Sequence, residues 1–104
     1  MASPDLSHDL SVVDVAEASR FELHLSGERV GLADYSITGD VMTVPHVETD
    51  PAHQGQGFAA VLMTGVLESV RMRGQTIRPV CPYAAEFMRR NPESRDLLTT
   101  GSTV

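Results

Sequence analysis

Residues 46–62, His-Val-Glu-Thr-Asp-Pro-Ala-His-Gln-Gly-Gln-Gly-Phe-Ala-Ala-Val-Leu, admit few backbone paths. Asp50-Pro51 halts the alternating strand ahead of it, because proline brings no N–H to a ladder. Gly55 and Gly57 have no Cβ, so the main chain there can take unusual conformations and lie close to a ligand. Beyond them Phe58, Val61, Leu62, Gly65, Val66 and Val70 recur at helical spacing and define one apolar face. The first turn of a helix leaves N–H groups without partners, and the macrodipole draws anions to that end. Strand, glycine loop and helix start, in that order, predict a cradle for an anion, a phosphate above all.

The rest of the chain reads as the scaffold of that cradle. Residues 1–11 are polar and predicted to be a flexible N-terminus. Val12 to Ala16 suggests a short edge strand. Arg20 to Leu25 alternates polar and apolar residues as a half-buried strand does, and Val30 to Ile37 and Val41 to Glu48 follow after turns. Pro45 within the third of these predicts a bulge or an edge position. The helix is expected over Gln56 to Arg73, closed by Gly74, with Arg71 and Arg73 suiting its negative end. Thr76 to Val80 then gives a strand, so strand, helix and strand form a right-handed parallel crossover. Pro82 opens a second helix through Tyr83 to Arg90, stopped by Asn91-Pro92. Leu97-Leu98 suggests a last short turn, and residues 99–104 a flexible tail. The fold class is therefore α/β, of the α+β mixed-sheet kind: an antiparallel meander, a parallel βαβ crossover and a C-terminal helix, with one domain over residues 12–98.

Charge is divided along the chain. Residues 1–50 hold ten acids and two arginines, −8, and residues 51–104 hold four acids and six arginines, +2, which together give the net −6. The anion cradle lies in the basic half, while an acidic chain disfavours nucleic acid as a partner. No apolar run reaches the roughly 20 residues of a membrane span. The chain contains no lysine, which excludes Schiff-base chemistry and a phosphate-binding P-loop. A single cysteine, Cys81, fits a reducing compartment, and the absence of a signal sequence suggests a cytoplasmic location. Scattered histidines give no metal-ligand spacing, so no metal is expected. Gly55 to Ala60 also satisfies the dinucleotide pattern G-x-G-x-x-A, but no acid stands about 20 residues later to take a ribose.

Gln54, Gly57 and Ala59 occupy the marked positions of Q/R-x-x-G-x-G/A, and this loop resembles the acetyl-CoA pyrophosphate loop of the GNAT superfamily of N-acetyltransferases. The order of His46-Val47-Glu48, Asp50-Pro51, Gln54 to Ala59, Pro79-Val80-Cys81, Pro82-Tyr83 and Asn91-Pro92-Glu93 is similar to that of small single-domain GNAT-like proteins. The resemblance covers roughly residues 12–98. It implies a compact GNAT-like fold, acetyl-CoA as cosubstrate, and an amine on a small molecule, peptide or protein as acceptor. The helices that usually stand between the first two GNAT strands, walling the acceptor pocket, are missing here.

Under this reading the cofactor-binding candidates are Gln54, Gly55, Gln56, Gly57, Phe58, Ala59 and Ala60. Arg89 and Arg90 are either solvated helix charges or, with Arg71 or Arg73, partners of the CoA 3′-phosphate. His46 and Glu48, two apart on one strand face, are either a surface ion pair or the base that deprotonates the amine. Cys81 is a small buried residue, a wall of the pantetheine channel, or a thiol that carries the acetyl group. Tyr83 packs or protonates the departing thiolate. His53 is expected to be exposed. Two other functions fit parts of the pattern: a non-catalytic acyl-CoA-binding module, and a thiol sensor built on Cys81.

Overall fold

The computed structural model describes residues 9–101. Five strands form one sheet in sequence order: β1 (Leu10–Val15), β2 (Arg20–Leu25), β3 (Glu28–Thr38), β4 (Val41–Thr49) and β5 (Thr76–Pro79). The first four are antiparallel neighbours, and β5 lies parallel to β4. Helix α1 (Phe58–Met72) makes the crossover between β4 and β5, and α2 (Pro82–Arg90) follows β5. The mixed sheet and crossover match the fold class expected from the sequence.

Strand alternation sorts the sheet into two unlike faces. Phe21 pairs with Ala33 and Ala33 with Val47, so these side chains share a face. With Leu23 and Val44 they form the core against Leu62, Met63, Val66 and Val70 of α1. The opposite face carries the rows Val13–Glu22–Leu32–Glu48 and Val15–Arg20–Asp34–His46. Glu22 is its hub, accepting from Arg20 Nε at 2.7 Å and lying 2.9 Å from His24 Nε2. These partners hold its carboxyl below the ordinary range, His24 contributing most and Arg20 next.

Pro45 shapes the sheet where the sequence placed a bulge. The β3–β4 register slips between Asp34↔His46 and Ser36↔Thr43, so Val44 and Pro45 together face Tyr35. The Tyr35 N–H instead reaches Ser19 O in the other direction, at 3.0 Å. On its far side β4 pairs with β5 only from Val41 to Val44. The N–H groups of Val80 and Cys81 both end on Val44 O, at 3.1 and 2.9 Å, and the chain then turns into α2. Pro45–Thr49 therefore continues without β5, paired only with β3, and the sheet splays open.

Several boundaries differ from the sequence reading. Helix α1 begins at Phe58, not Gln56, because Gly55 and Gly57 sit at φ +81° and +77°, outside helical space. Strand β1 begins at Leu10, inside the segment expected to be flexible, and its first residues pair with β2 through Leu10↔Leu25 and Ser11↔His24. Thr99 was placed in a flexible tail. Its N–H binds Ile77 O at 2.9 Å and Leu98 bridges Ile77, because buried Leu97 draws the chain onto the sheet. The remaining expectations for residues 1–8 and 102–104 fall outside the described residues.

Helix α1 can approach β1 because residue 65 is glycine: a Cβ there would lie 2.7–2.9 Å from three atoms of Val12. Alanine favours a helix interior by about 1 kcal/mol over glycine, but overpacking costs about 1–3 kcal/mol. Gly65→Ala is therefore expected to lower stability in urea unfolding by about 1 kcal/mol. Combining it with Val12→Ala should turn Gly65→Ala into a neutral or stabilising change.

Candidate active site

After β4 the chain makes one 3-10 turn, Pro51–His53, in which Asp50 Oδ1 accepts the Ala52 N–H at 3.3 Å. Gln54 is extended, and its Nε2 donates to Thr49 O at 3.3 Å, tying the loop back to the strand. Gly57 is the N-cap of α1 and supplies no side-chain cap. The first helical bond runs from Val61 N to Gly57 O, so the N–H groups of Phe58, Ala59 and Ala60 have no partner inside the helix. A Cβ at Gly55 or Gly57 would find no atom within 4 Å. The loop thus presents bare main chain and an uncapped helix start to open space, which suits a pyrophosphate.

The second element of the site is an edge. Tyr35 N turns towards β2, and Asp50 N binds Val30 O at 2.8 Å from the β4 side. In an antiparallel ladder these directions alternate. Leu32 and Asp34 therefore bond across to Glu48 and His46, while the backbone groups of Val47 and Thr49 point to the splayed side. Thr49 O is taken by Gln54; the N–H and C=O of Val47 face outward beyond the last pairing with β5. The sequence did not point to Val47, yet Pro45 together with a strand ended by Pro79 is the signal for such an open edge.

A cavity of about 550 Å³ joins loop and edge. It brings together Glu48, Gln54, Gly55, Gly57, Phe58, Ala59 and Tyr83 of the sequence candidates, and adds Val47, Thr49, Pro51 and His53. Another cavity of similar size, about 510 Å³, lies between β1 and α1, with walls that include Val12, Phe21 and Thr64 but no helix start. His53 is half-buried, not exposed as expected, because its ring stacks on Phe58 at 5.7 Å and 27°. Its Nδ1 is buried without a hydrogen-bond partner.

The remaining candidates are distributed around this cavity. Gln56 is exposed outside its wall, and Ala60, half-buried in the first turn, accepts Thr64 Oγ1 at 2.8 Å. Glu48 faces the polar side of the sheet with His46, their Oε2 and Nε2 atoms 3.4 Å apart; both side chains are more than half exposed. His46 does not reach the cavity. Cys81 is the N-cap of α2, but its residue is only 6% exposed and belongs to the apolar core. Tyr83, two residues further, is exposed at the cavity wall, and burial of part of its ring raises its phenol above the usual value.

The four candidate arginines are engaged. Arg89 and Arg90 both bind Glu86, at 2.5 and 2.7 Å, and lower its carboxyl to about 2. Arg71 pairs with Asp96 at 2.7 Å, and Arg73 donates to Asp14, which also accepts Tyr35 Oη at 2.7 Å. Burial opposes the ionisation of Asp14, but Tyr35 and Arg73 outweigh it and keep the carboxyl low. Arg71 and Arg73 stand roughly 20 Å down α1 from Gly57, at about 1.5 Å per residue. They are remote from the loop. Among the described residues no group of three or more His, Cys, Asp or Glu is placed to hold a metal, and no helix is long and apolar enough to cross a membrane.

A sheet splayed by a parallel crossover, with a glycine loop and helix start at the opening, defines the GNAT class of fold. The chain belongs to the GCN5-related N-acetyl-transferase family, whose model matches residues 20–97. Among solved structures, a GCN5-like protein from Staphylococcus aureus shares 16% identity over 88% of this chain and 89% of its own, with a TM-score of 0.63. The ribosomal-protein-S18-alanine N-acetyltransferase of Escherichia coli shares 21% identity over 69% of this chain, with a TM-score of 0.58. The match spans 50% of that enzyme's length. Nourseothricin acetyltransferase shares 28% identity over 68% of this chain and 46% of its own, with a TM-score of 0.50. No curated protein gives a significant sequence match.

Proposed function

We propose that the protein is an N-acetyltransferase that moves an acetyl group from acetyl-CoA to an amine. The observation that carries this reading is the continuity of the uncapped loop at Gly55, Gly57 and Ala59 with the open edge of β4 at Val47–Thr49, Glu48 included, around one cavity. The loop N–H groups would hold the pyrophosphate, and the outward N–H and C=O of Val47 would pair with the amide groups of an extended pantetheine arm. Coenzyme A supplies the acetyl group as an activated thioester. Glu48 takes a proton from the acceptor ammonium so that its nitrogen can form the new C–N bond. As the C–S bond breaks, Tyr83, which lines the same cavity, would give a proton to sulfur; its raised phenol keeps that proton at neutral pH. Cys81, packed in the core, supports a direct transfer without a thiol carrier.

Acetyl-CoA incubated with a broad panel of amines and peptides should show amine-dependent release of free thiol and acetylated product. Calorimetric binding of CoA with no transfer to any amine would leave an acyl-CoA-binding module instead. If Arg89 and Arg90 also meet the 3′-phosphate, they must exchange Glu86 for it. Arg89→Gln with Arg90→Gln should then weaken CoA about tenfold, about 1.4 kcal/mol, and dephospho-CoA far less. Equal losses for the two ligands would leave both arginines as helix charges.

A further inference from the structure

Glu48 borders a second cavity. On the polar face of the sheet, a pocket of about 160 Å³ is lined by Arg29, Leu32, Glu48, Asp50 and neighbouring backbone. It shares Glu48, Thr49 and Pro51 with the larger loop cavity, so the end of β4 is the partition between them. Glu48 is therefore the one charged residue that lines both cavities, its side chain on the polar face, and the two sides have different chemistry. The loop cavity offers bare main chain at a helix start. The smaller pocket offers two carboxylates, one guanidinium and an apolar floor.

The guanidinium is available. Arg29 is 48% exposed at its side chain and sits 3.7 Å from Glu22, a carboxylate already held by Arg20 at 2.7 Å and His24 at 2.9 Å. An arginine with so loose a partner can turn its fork to an incoming carboxylate, which it binds bidentately. Glu48 and Asp50 meanwhile favour an ammonium at the strand end. Leu32, 9% exposed, gives the floor on which a short apolar group can rest.

Resting on the N-acetyltransferase reading above, we infer that this pocket is the acceptor site and that its substrate is a small amine bearing its own anionic group, an amino-acid-like zwitterion. Arg29 binds the anion, and Glu48 receives the ammonium at the partition, where the acetyl donor lies on the other side. In the transfer the amine nitrogen forms a bond to the acetyl carbon, the carbon–sulfur bond breaks, the amine proton passes to Glu48, and CoA leaves as the thiol after protonation.

The test compares free glycine, alanine, aspartate and glutamate with their methyl esters, and with simple alkylamines, in an acetyl-CoA thiol-release assay. The expected result is a kcat/KM for at least one free amino acid ten or more times that of its ester. Arg29→Gln should raise KM for that amino acid at least tenfold, leave KM for the ester within twofold, and leave calorimetric CoA affinity unchanged. Arg29→Lys should recover part of the loss. Arg29 is half exposed, so neither variant should fail to fold, and thermal melts verify this. Esters or alkylamines used as well as free acids, or an acid preference that survives in Arg29→Gln, would overturn the inference while leaving the transferase reading intact. CoA binding without acetylation of any amine would overturn both.

Discussion

Gly57→Val is expected to weaken coenzyme A binding by more than tenfold, more than about 1.4 kcal/mol, in a protein that still folds. The residue stands at φ +77° with open space around its missing Cβ. That space is where a phosphate would approach the N–H groups of Phe58 to Ala60. A valine side chain would fill it and would also strain the left-handed backbone, at about 1–3 kcal/mol for a non-glycine residue there. Strain alone can mimic a binding defect by loosening the loop, so it needs its own measure. Gly39 supplies one: it lies in the β3–β4 turn at φ +62°, also with nothing within 4 Å of its Cβ position. Gly39→Val should lower stability by a similar amount and leave CoA affinity unchanged. If Gly57→Val folds and binds CoA as the parent does, the loop is not the pyrophosphate cradle.

Much of the scaffold could be read from local chemistry. The alternation of Arg20 to Leu25 and the helical spacing from Phe58 to Val70 each follow from one period, and each element formed where its period ran. The two loop glycines announced an uncapped helix start for the same reason: only the backbone of residues 55–57 was in question. Pairwise and long-range features were not open to that kind of reading. Arg73 suited a helix end by sequence, but its partner Asp14 lies 59 residues away, on a strand brought beside it by the fold. His53 had no local reason to be covered until Phe58 came under it. Glu48 and Arg29 are 19 positions apart in the chain and line one pocket only because β3 and β4 are paired, so the proposed acceptor pocket could not be seen before the sheet was assembled. Cys81 was read as the start of a helix, correctly, yet its burial depends on the two N–H groups that bind the strand at Val44 O.

The proposed mechanism assigns different roles to the groups along β4, and each role can be tested. Glu48→Gln preserves shape and removes the proposed base, so on that proposal kcat should fall by about 10²-fold or more while CoA affinity stays nearly constant. His46 lies 3.4 Å from Glu48 but outside the loop cavity, so the proposal gives it a positioning role only. His46→Ala should therefore lower kcat less than Glu48→Gln. Added to Glu48→Gln it should cost almost nothing more, because residues that act through one group do not add. Additive losses would instead make His46 an independent proton acceptor, and full activity in the double variant would give that role to solvent. Cys81→Ala should be milder than Glu48→Gln, through lost packing rather than lost chemistry. Intact-protein mass spectrometry after mixing with acetyl-CoA alone provides the decisive contrast. Direct transfer leaves the protein unmodified until an amine arrives. An acetyl adduct on Cys81 that forms and decays as fast as turnover would make the buried thiol the central group, and Glu48 would then serve only the second half of the reaction.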